Sequence, residues 1–246
     1  MKMKRAERFY RDFEDTDRWK SFRVRVETSD LYIRADKDLS VRAKTMVRSL
    51  REDIRGQIER QSEFFASFTP VKRLPGCPSI IAMMYDASEK AGVGPMAAVA
   101  GAISDTVGRD LADLSEELIV ENGGDIWMNI TRPAVATIYP GGYYFNGVAL
   151  RIYPGPTPCG ICTSSARIGL SLSFGKADAA TVIAHDAALA DAIATEVCNR
   201  VAGVDDLEDA ASYGIRCGAA GVVIIYRDRL VAQGDIELTD PYGELL

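Results

Sequence analysis

Between residues 117 and 154 the chain passes through strand-like segments, ELIVENGGDIWMNI, PAVATIYP and NGVALRIYP, with only Pro/Gly turns between them. Pro/Gly turns of this kind punctuate a strand-rich region. SFRVRVE (21–27) alternates apolar and charged residues, and LYIRAD (31–36) follows after Thr-Ser-Asp, which predicts a hairpin. From residue 40 to about 68, the positions Val41, Met46, Val47, Leu50, Ile54, Ile58 and Phe65 recur at helical spacing and Pro70 closes the run, predicting one long amphipathic helix. After the loop VKRLPGCP, residues 79–91 read as a buried helix, Gly92-Val93-Gly94 breaks it, and Pro95 opens a second helix in PMAAVAGAISDTVGRDLAD. ATVIAHD (180–186) reads as a central strand and 187–201 as a helix; a helical turn at 205–211 precedes two strands in GVVIIYRDRLVAQGDIEL. Helices grouped apart from strands predict an α+β, two-layer architecture, with helices on one face of antiparallel sheet. No linker is long or polar enough to divide the chain, so residues 1–246 are expected to form a single domain behind a polar leader at 1–20.

With 246 residues, of which 47% are hydrophobic, the chain can bury a large core. No apolar run reaches the roughly 18–20 residues of a membrane span, and no hydrophobic segment follows the charged N-terminus, so no membrane partner and a cytoplasmic location are expected. The net charge of −6 hides an asymmetry: residues 1–75 carry 19 Lys+Arg against 13 Asp+Glu, and the remainder 10 against 22. Both signs interleave in the basic part without an aromatic-plus-basic stacking pattern, which favours a solvated helix face over a nucleic-acid partner. Five cysteines argue against a disulfide framework. Cys159-Gly160-Ile161-Cys162 is a CxxC, yet His185 is the lone histidine and no second cysteine pair exists, so buried, inert thiols are expected over zinc or redox chemistry.

Four patches have residue types suited to chemistry. On a helix, Asp191 and Thr195 stand at i and i+4, so a carboxylate and a hydroxyl project from one face toward a single small ion, and oxygen ligands of this kind suit Mg²⁺. The competing reading is an Asp held by a helix N-terminus, with Thr bonding back to a carbonyl. Gly94-Pro95-Met96-Ala97 is a glycine-to-helix entry with N–H groups suited to a phosphate. Asn122-Gly123-Gly124-Asp125 is either a tight hairpin turn or a place where backbone approaches a ligand closely. Thr163-Ser164-Ser165 offers consecutive small hydroxyls.

Taken in order, GPMAAVAGAISD, ENGGD, ICTSS, SFGKAD and ADAIAT resemble uncharacterised protein family 0280 (UPF0280), a group similar to ApbE, the flavin transferase that moves FMN from FAD to a Ser or Thr of a target protein and uses magnesium. The resemblance implies an ApbE-like, T-fold-like structure of antiparallel sheets backed by helices and built from two related halves. It implies Mg²⁺ held by Asp191, Thr195 and the backbone carbonyl of Ala97, and FAD or a related nucleotide as ligand. Gly94 and the segment Asn122, Gly123, Gly124 and Asp125 would lie beside the nucleotide, Thr163, Ser164 and Ser165 near its phosphates, and Asp125 would serve as base. The implied function is a Mg-dependent flavin or nucleotide pyrophosphate transferase or hydrolase, with a small-molecule nucleotide and a target protein as partners. A non-catalytic nucleotide or anionic-metabolite binding protein, or a structural protein assembling as a homodimer through its sheets, are the alternatives. The chain departs from the ApbE pattern in several places. It has no His-x-Ile-Asp-Pro-x-x-Gly segment between the hydroxyl and AD-x-x-AT motifs, Ala98 or Val99 stands where a lysine is usual, Ser165-Ala166 stands where a glycine is usual, and Leu170 replaces a histidine common in the UPF0280 group.

Overall fold

The structure is a computed structural model that describes residues 18–141, 145, 147–155, 157–166 and 175–245. Strands β1 (Lys20–Val26) and β2 (Ser29–Ala35) form the first hairpin, and helices α1 (Ser40–Arg60), α2 (Glu63–Ala66) and α3 (Ser79–Ala91) follow. A 3-10 turn at Pro95–Ala98 leads into α4 (Val99–Leu111), then β3 (Leu118–Asn122) and β4 (Asp125–Asn129). Next come β5 (Ala134–Thr137), β6 (Ala149–Ile152), β7 (Cys159–Ser164), β8 (Ala179–Ala184), α5 (Ala187–Arg200), α6 (Leu207–Arg216), β9 (Gly221–Tyr226), β10 (Arg229–Gly234) and β11 (Leu238–Thr239).

One eight-stranded sheet, in the order β1-β2-β3-β4-β7-β8-β9-β10, runs through the molecule, and every neighbouring pair in it is antiparallel. Each half has the same plan: a strand pair, then helices, then a second strand pair. The halves meet where β4 pairs with β7, Asp125 opposite Cys162 and Met128 opposite Cys159. Strand side chains alternate between the two faces. Leu31, Ile33, Val120, Trp127, Val182 and Ile224 therefore point toward the helices, where they meet residues such as Val47, Ile81, Val107 and Ile193. The opposite set, Ile119, Met128, Ile161, Val223 and Ile225, packs on Leu150 and Ile152 of a small antiparallel sheet in the order β11-β6-β5. The α+β plan of antiparallel sheet backed by helices is thus realised, with the small sheet as an added cover on the far face. At the N-terminal side, Arg18 is held by Glu117, whose carboxylate also accepts from the Thr131 and Arg132 amides; these partners hold its pKa near 2.

Three details differ from the sequence expectations. The long helix predicted over 40–68 ends at Arg60, because Gln61 turns extended (φ −152°, ψ 96°) and its side chain bonds Lys72 O and the Tyr85 hydroxyl. The turn sends Phe64 into the core, edge-on to Tyr85 at 5.1 Å, and leaves Phe65 exposed. The helix predicted from Pro95 begins as a 3-10 turn before α4 takes over. Strand β7 was not anticipated; being buried on both faces it shows no apolar–polar alternation, and its residues read as motifs instead. Among the described residues no helix is long and apolar enough to cross a membrane.

Helix α5 sits close against β7. A Cβ added at Gly160 would lie 2.3 Å from Ala187 Cα and 2.4 Å from Ala187 N, a contact with rigid backbone on both sides. Gly160→Ala is expected to cost about 1–3 kcal/mol or more by overpacking, read as a lower urea midpoint with an unchanged denaturant slope.

Candidate functional site

The first turn of α5 enters between α4 and β7, and its donors are met by carboxylates. Asp186, the N-cap, accepts from Leu189 N at 2.7 Å, and the fully buried Asp105 of α4 accepts from Ala187 N at 2.9 Å. Burial pushes the Asp105 carboxyl above its usual range, and the ion pair with Arg109 works against that rise. Gly101 permits the approach from the α4 side: a Cβ there would lie 2.1 Å from Ala187 O and 2.8 Å from Asp191 Cβ.

This docking places Asp191, one turn farther along α5, at the start of α4. Its Oδ2 accepts from Gly101 N at 2.9 Å, and the Ala100 amide also bonds its carboxylate. The residue keeps some exposed surface, but its carboxyl is enclosed, and burial raises the pKa to about 7 against the two amide bonds. Among the described residues no Lys or Arg forms an ion pair with it. Thr195 lies on the same helix four residues on. Thr45, Ser104 and Thr106 each return a hydroxyl to the carbonyl four residues earlier, whereas Thr195 makes no such bond among the described residues. The Asp191 carboxylate is therefore held by a helix N-terminus, but that of α4 rather than its own helix, and the back-bonded alternative for Thr195 is not realised. The 3-10 turn with Ala97 packs against α5.

The β3–β4 hairpin joins this cluster. Gly123 and Gly124 have φ of 76° and 107°, the left-handed values of a two-residue primed turn, and Gly124 N donates to Glu121 Oε1 at 2.9 Å. The double glycine thus makes a hairpin turn. Asn122 Nδ2 reaches Ala100 O at 3.3 Å and Ser104 Oγ donates to Asp125 O at 2.9 Å, tying the hairpin end to the first two turns of α4. Asp125, opposite Cys162 in register, faces the helices, and both its carboxylate and that of Asp191 lie near enough to the Cys162 thiol to raise its pKa, although burial is the larger cause.

The remaining predicted residues separate. A Cβ at Gly94 would fall 1.8 Å from Ser67 O, so this glycine accommodates the chain's own backbone. Along β7, Cys159 and Ile161 face the small sheet, while Gly160 and Cys162 face α5. Thr163 belongs to the first set, away from Asp191, and pairs its Oγ1 with Thr181 Oγ1 at 2.9 Å. Ser164 belongs to the second set; Ser165 follows the strand and is buried. The position of Leu170 lies outside the described residues. Sequence reasoning gave no role to Gly101, Ser104 and Asp105, although they close the GPMAAVAGAISD motif, because their part is to seat α5 and the hairpin end and only the packing shows it.

The CxxC occupies a strand, so its sulfurs, three residues apart, point to opposite faces of the sheet and cannot pair or share a metal. Burial lifts Cys159 to about 11 and Cys162 well above the ordinary thiol value. Both should resist a thiol reagent at pH 8 in the folded protein and react once urea unfolds it; rapid labelling of either in the native state would contradict this placement.

The family described as AbpE bacteria matches residues 11–212. The chain belongs to this family. Its relatives include a UPF0280 protein of Methanopyrus kandleri, 40% identical over 196 residues and covering 75% of this chain and 76% of that one. A UPF0280 protein of Archaeoglobus fulgidus is likewise 40% identical over 197 residues, with 77% and 81% covered. Among solved structures, the flavin transferase ApbE from Vibrio cholerae superposes with a TM-score of 0.59 over 93% of this chain and 99% of that one, at 14% identity. The apo flavinyl transferase ApbE of Pseudomonas stutzeri does so with a TM-score of 0.53, covering 88% and 94%, also at 14% identity. At that identity the agreement is one of fold, and the ApbE-like fold is shared along nearly the whole length of those proteins.

Among the described residues no three His, Cys, Asp or Glu side chains gather as a metal site. Asp191, Thr195 and the 3-10 turn with Ala97 that packs against α5 carry oxygen donors only, the donor type that suits a hard cation such as Mg²⁺. Because the Asp191 carboxyl titrates near 7 when folded and near 3.8 ordinarily, the unfolded chain releases the proton first, so this residue's contribution to stability declines as pH rises from about 4 to 7. In chelator, Asp191→Asn should flatten that part of the stability–pH curve; an unchanged slope in urea titrations at pH 5 and 7.5 would contradict the enclosed carboxyl.

Proposed function

We propose that the protein acts on the pyrophosphate of FAD or a related nucleotide as a magnesium-dependent transferase. The observation that carries the reading is the enclosed carboxylate of Asp191, which pairs with no Lys or Arg among the described residues, one helical turn from the Thr195 hydroxyl on a fold shared with flavin transferases. Asp191 Oδ1, Thr195 Oγ1 and the carbonyl of Ala97 would hold the ion, with Asp191 Oδ2 fixed by the Gly101 amide. A divalent cation there would offset charge growing on the phosphate oxygens as the P–O bond breaks. The hairpin end, Asn122 to Asp125, lies beside the same turn of α4 and forms the wall against which the nucleotide rests. In transfer, the hydroxyl oxygen of an acceptor Ser or Thr on a target protein bonds to the FMN phosphorus, the bond from that phosphorus to the bridging oxygen breaks, and AMP leaves with that oxygen. The acceptor's proton passes to Asp125, the nearest helix-facing carboxylate of the hairpin. With water as acceptor, the same displacement releases FMN and AMP.

A second reading, retention of the nucleotide without turnover, is favoured by one observation: the chain lacks the His-x-Ile-Asp-Pro segment, and its lone histidine, His185, pairs with Asp186 at the start of α5. Calorimetry and product analysis separate the readings. The wild type should bind FAD only with Mg²⁺ present and release AMP, and Asp191→Asn should lose about tenfold or more in FAD affinity. Tight binding with no AMP detected by chromatography supports retention, and a wild type that binds neither Mg²⁺ nor FAD rejects both.

A further inference from the structure

Helices α4 and α5 exchange carboxylates where they cross. Asp191 of α5 accepts from the Gly101 amide of α4, and Asp105 of α4 accepts from the Ala187 amide of α5, each at 2.9 Å. Gly101 and Asp105 are four residues apart, as are Ala187 and Asp191, so on each helix an amide donor is followed one turn later by the carboxylate that crosses back. Both donors lie in first turns, where amides lack a partner within their own helix, and each helix end is therefore satisfied by the other. The two bonds and the two helical turns close a ring, inside which Gly101 has no room for a Cβ against Ala187 O.

One turn farther along, the helices differ. Asp105 is followed by Arg109, whose guanidinium pairs with it, and Asp191 by Thr195, a neutral hydroxyl. The fully buried Asp105 thus has its counter-ion within the chain, while Asp191 pairs with no Lys or Arg among the described residues. A carboxylate whose charge is already offset adds little net field at a neighbouring cation. Its contribution is geometric: with Ala187 held by Asp105, the first turn of α5 cannot slide along α4, and Asp191 stays on the Gly101 amide.

We infer that Asp105 is a positioning residue for Asp191, aiming its carboxylate through Ala187 and across the ring, with Arg109 as the counter-ion that keeps the charge of Asp105 out of the site. The bearing of this on a bound cation rests on the proposed nucleotide reading; the hold of Asp105 on Asp191 does not. Hydrogen exchange in metal-free protein reads that hold. The Gly101 amide bonds Asp191 and not Asp105, yet Asp105→Ala should speed its exchange about tenfold beyond any change at Val120 and Val182, whose central strands report global opening. Asp105→Asn keeps an oxygen that can accept from Ala187 and should restore the wild-type rate at Gly101. Asp105→Ser, whose hydroxyl stops about one bond short of the Ala187 amide, should loosen Gly101 as alanine does and replaces Asp105→Ala if that variant does not fold. In calorimetry with FAD and Mg²⁺, Asp105→Ala should bind about tenfold more weakly than the wild type and Asp105→Asn within about twofold of it. Equal weakening by asparagine and alanine overturns the inference, because lost charge would then be the cause. Gly101 exchange that rises no more than that of the two valines overturns it as well, whatever happens to binding. A wild type that binds neither Mg²⁺ nor FAD rejects the proposed function, and the exchange comparison then decides by itself whether Asp105 aims Asp191.

Discussion

The candidate site depends on the insertion of the first turn of α5 between α4 and β7. Gly101 on one side and Gly160 on the other leave just enough room for the Ala187 backbone, and Asp105 and Asp186 satisfy amides that would otherwise be buried without partners. Any side chain at either glycine would push the helix outward. With the turn seated, Asp191 reaches the Gly101 amide; without it, the carboxylate, the hairpin and β7 would share no common point. A helix N-terminus is a natural place for an anion, since its free amides and aligned dipoles favour negative charge. Here the anion is supplied by the chain itself, as the Asp191 carboxylate held by the Gly101 and Ala100 amides.

The sheet then sorts neighbouring residues by chemistry. Successive side chains along a strand point to opposite faces, so a run of similar residues becomes two populations. The cysteines of the CxxC are divided between the helix-facing core and the small-sheet core, which removes the pairing their spacing suggests. The same alternation divides Thr163 from Ser164, giving one a hydrogen-bond partner within the sheet and the other none among the described residues. In this way β7 joins the two halves of the sheet and also selects which of its polar atoms face the helix layer.

Stability and binding pull in different directions at this site. An enclosed carboxylate that pairs with no Lys or Arg among the described residues weakens the folded state, whereas the buried Glu117 is paired with Arg18 and the Thr131 amide. Natural chains carry such local departures from satisfied packing most often where a site serves function rather than stability.

The sequence alone determined whatever depends on near neighbours along the chain. The antiparallel sheet followed from strands and helices grouped apart in the chain, the helices from their apolar spacing, and the shared helix face of Asp191 and Thr195 from a separation of four residues, while the double glycine stayed open between a turn and a ligand contact. Phe64 escaped, because the break at Gln61 is made by Lys72 and Tyr85, which are distant in sequence. Strand β7 escaped because burial on both faces erases the alternation that marks a strand. Only the tertiary structure brought Gly101, Asp125, Cys162 and Asp191 together, since their meeting depends on how closely α4, α5 and β7 can pack, and that distance is set by which residues lack a side chain at the crossing.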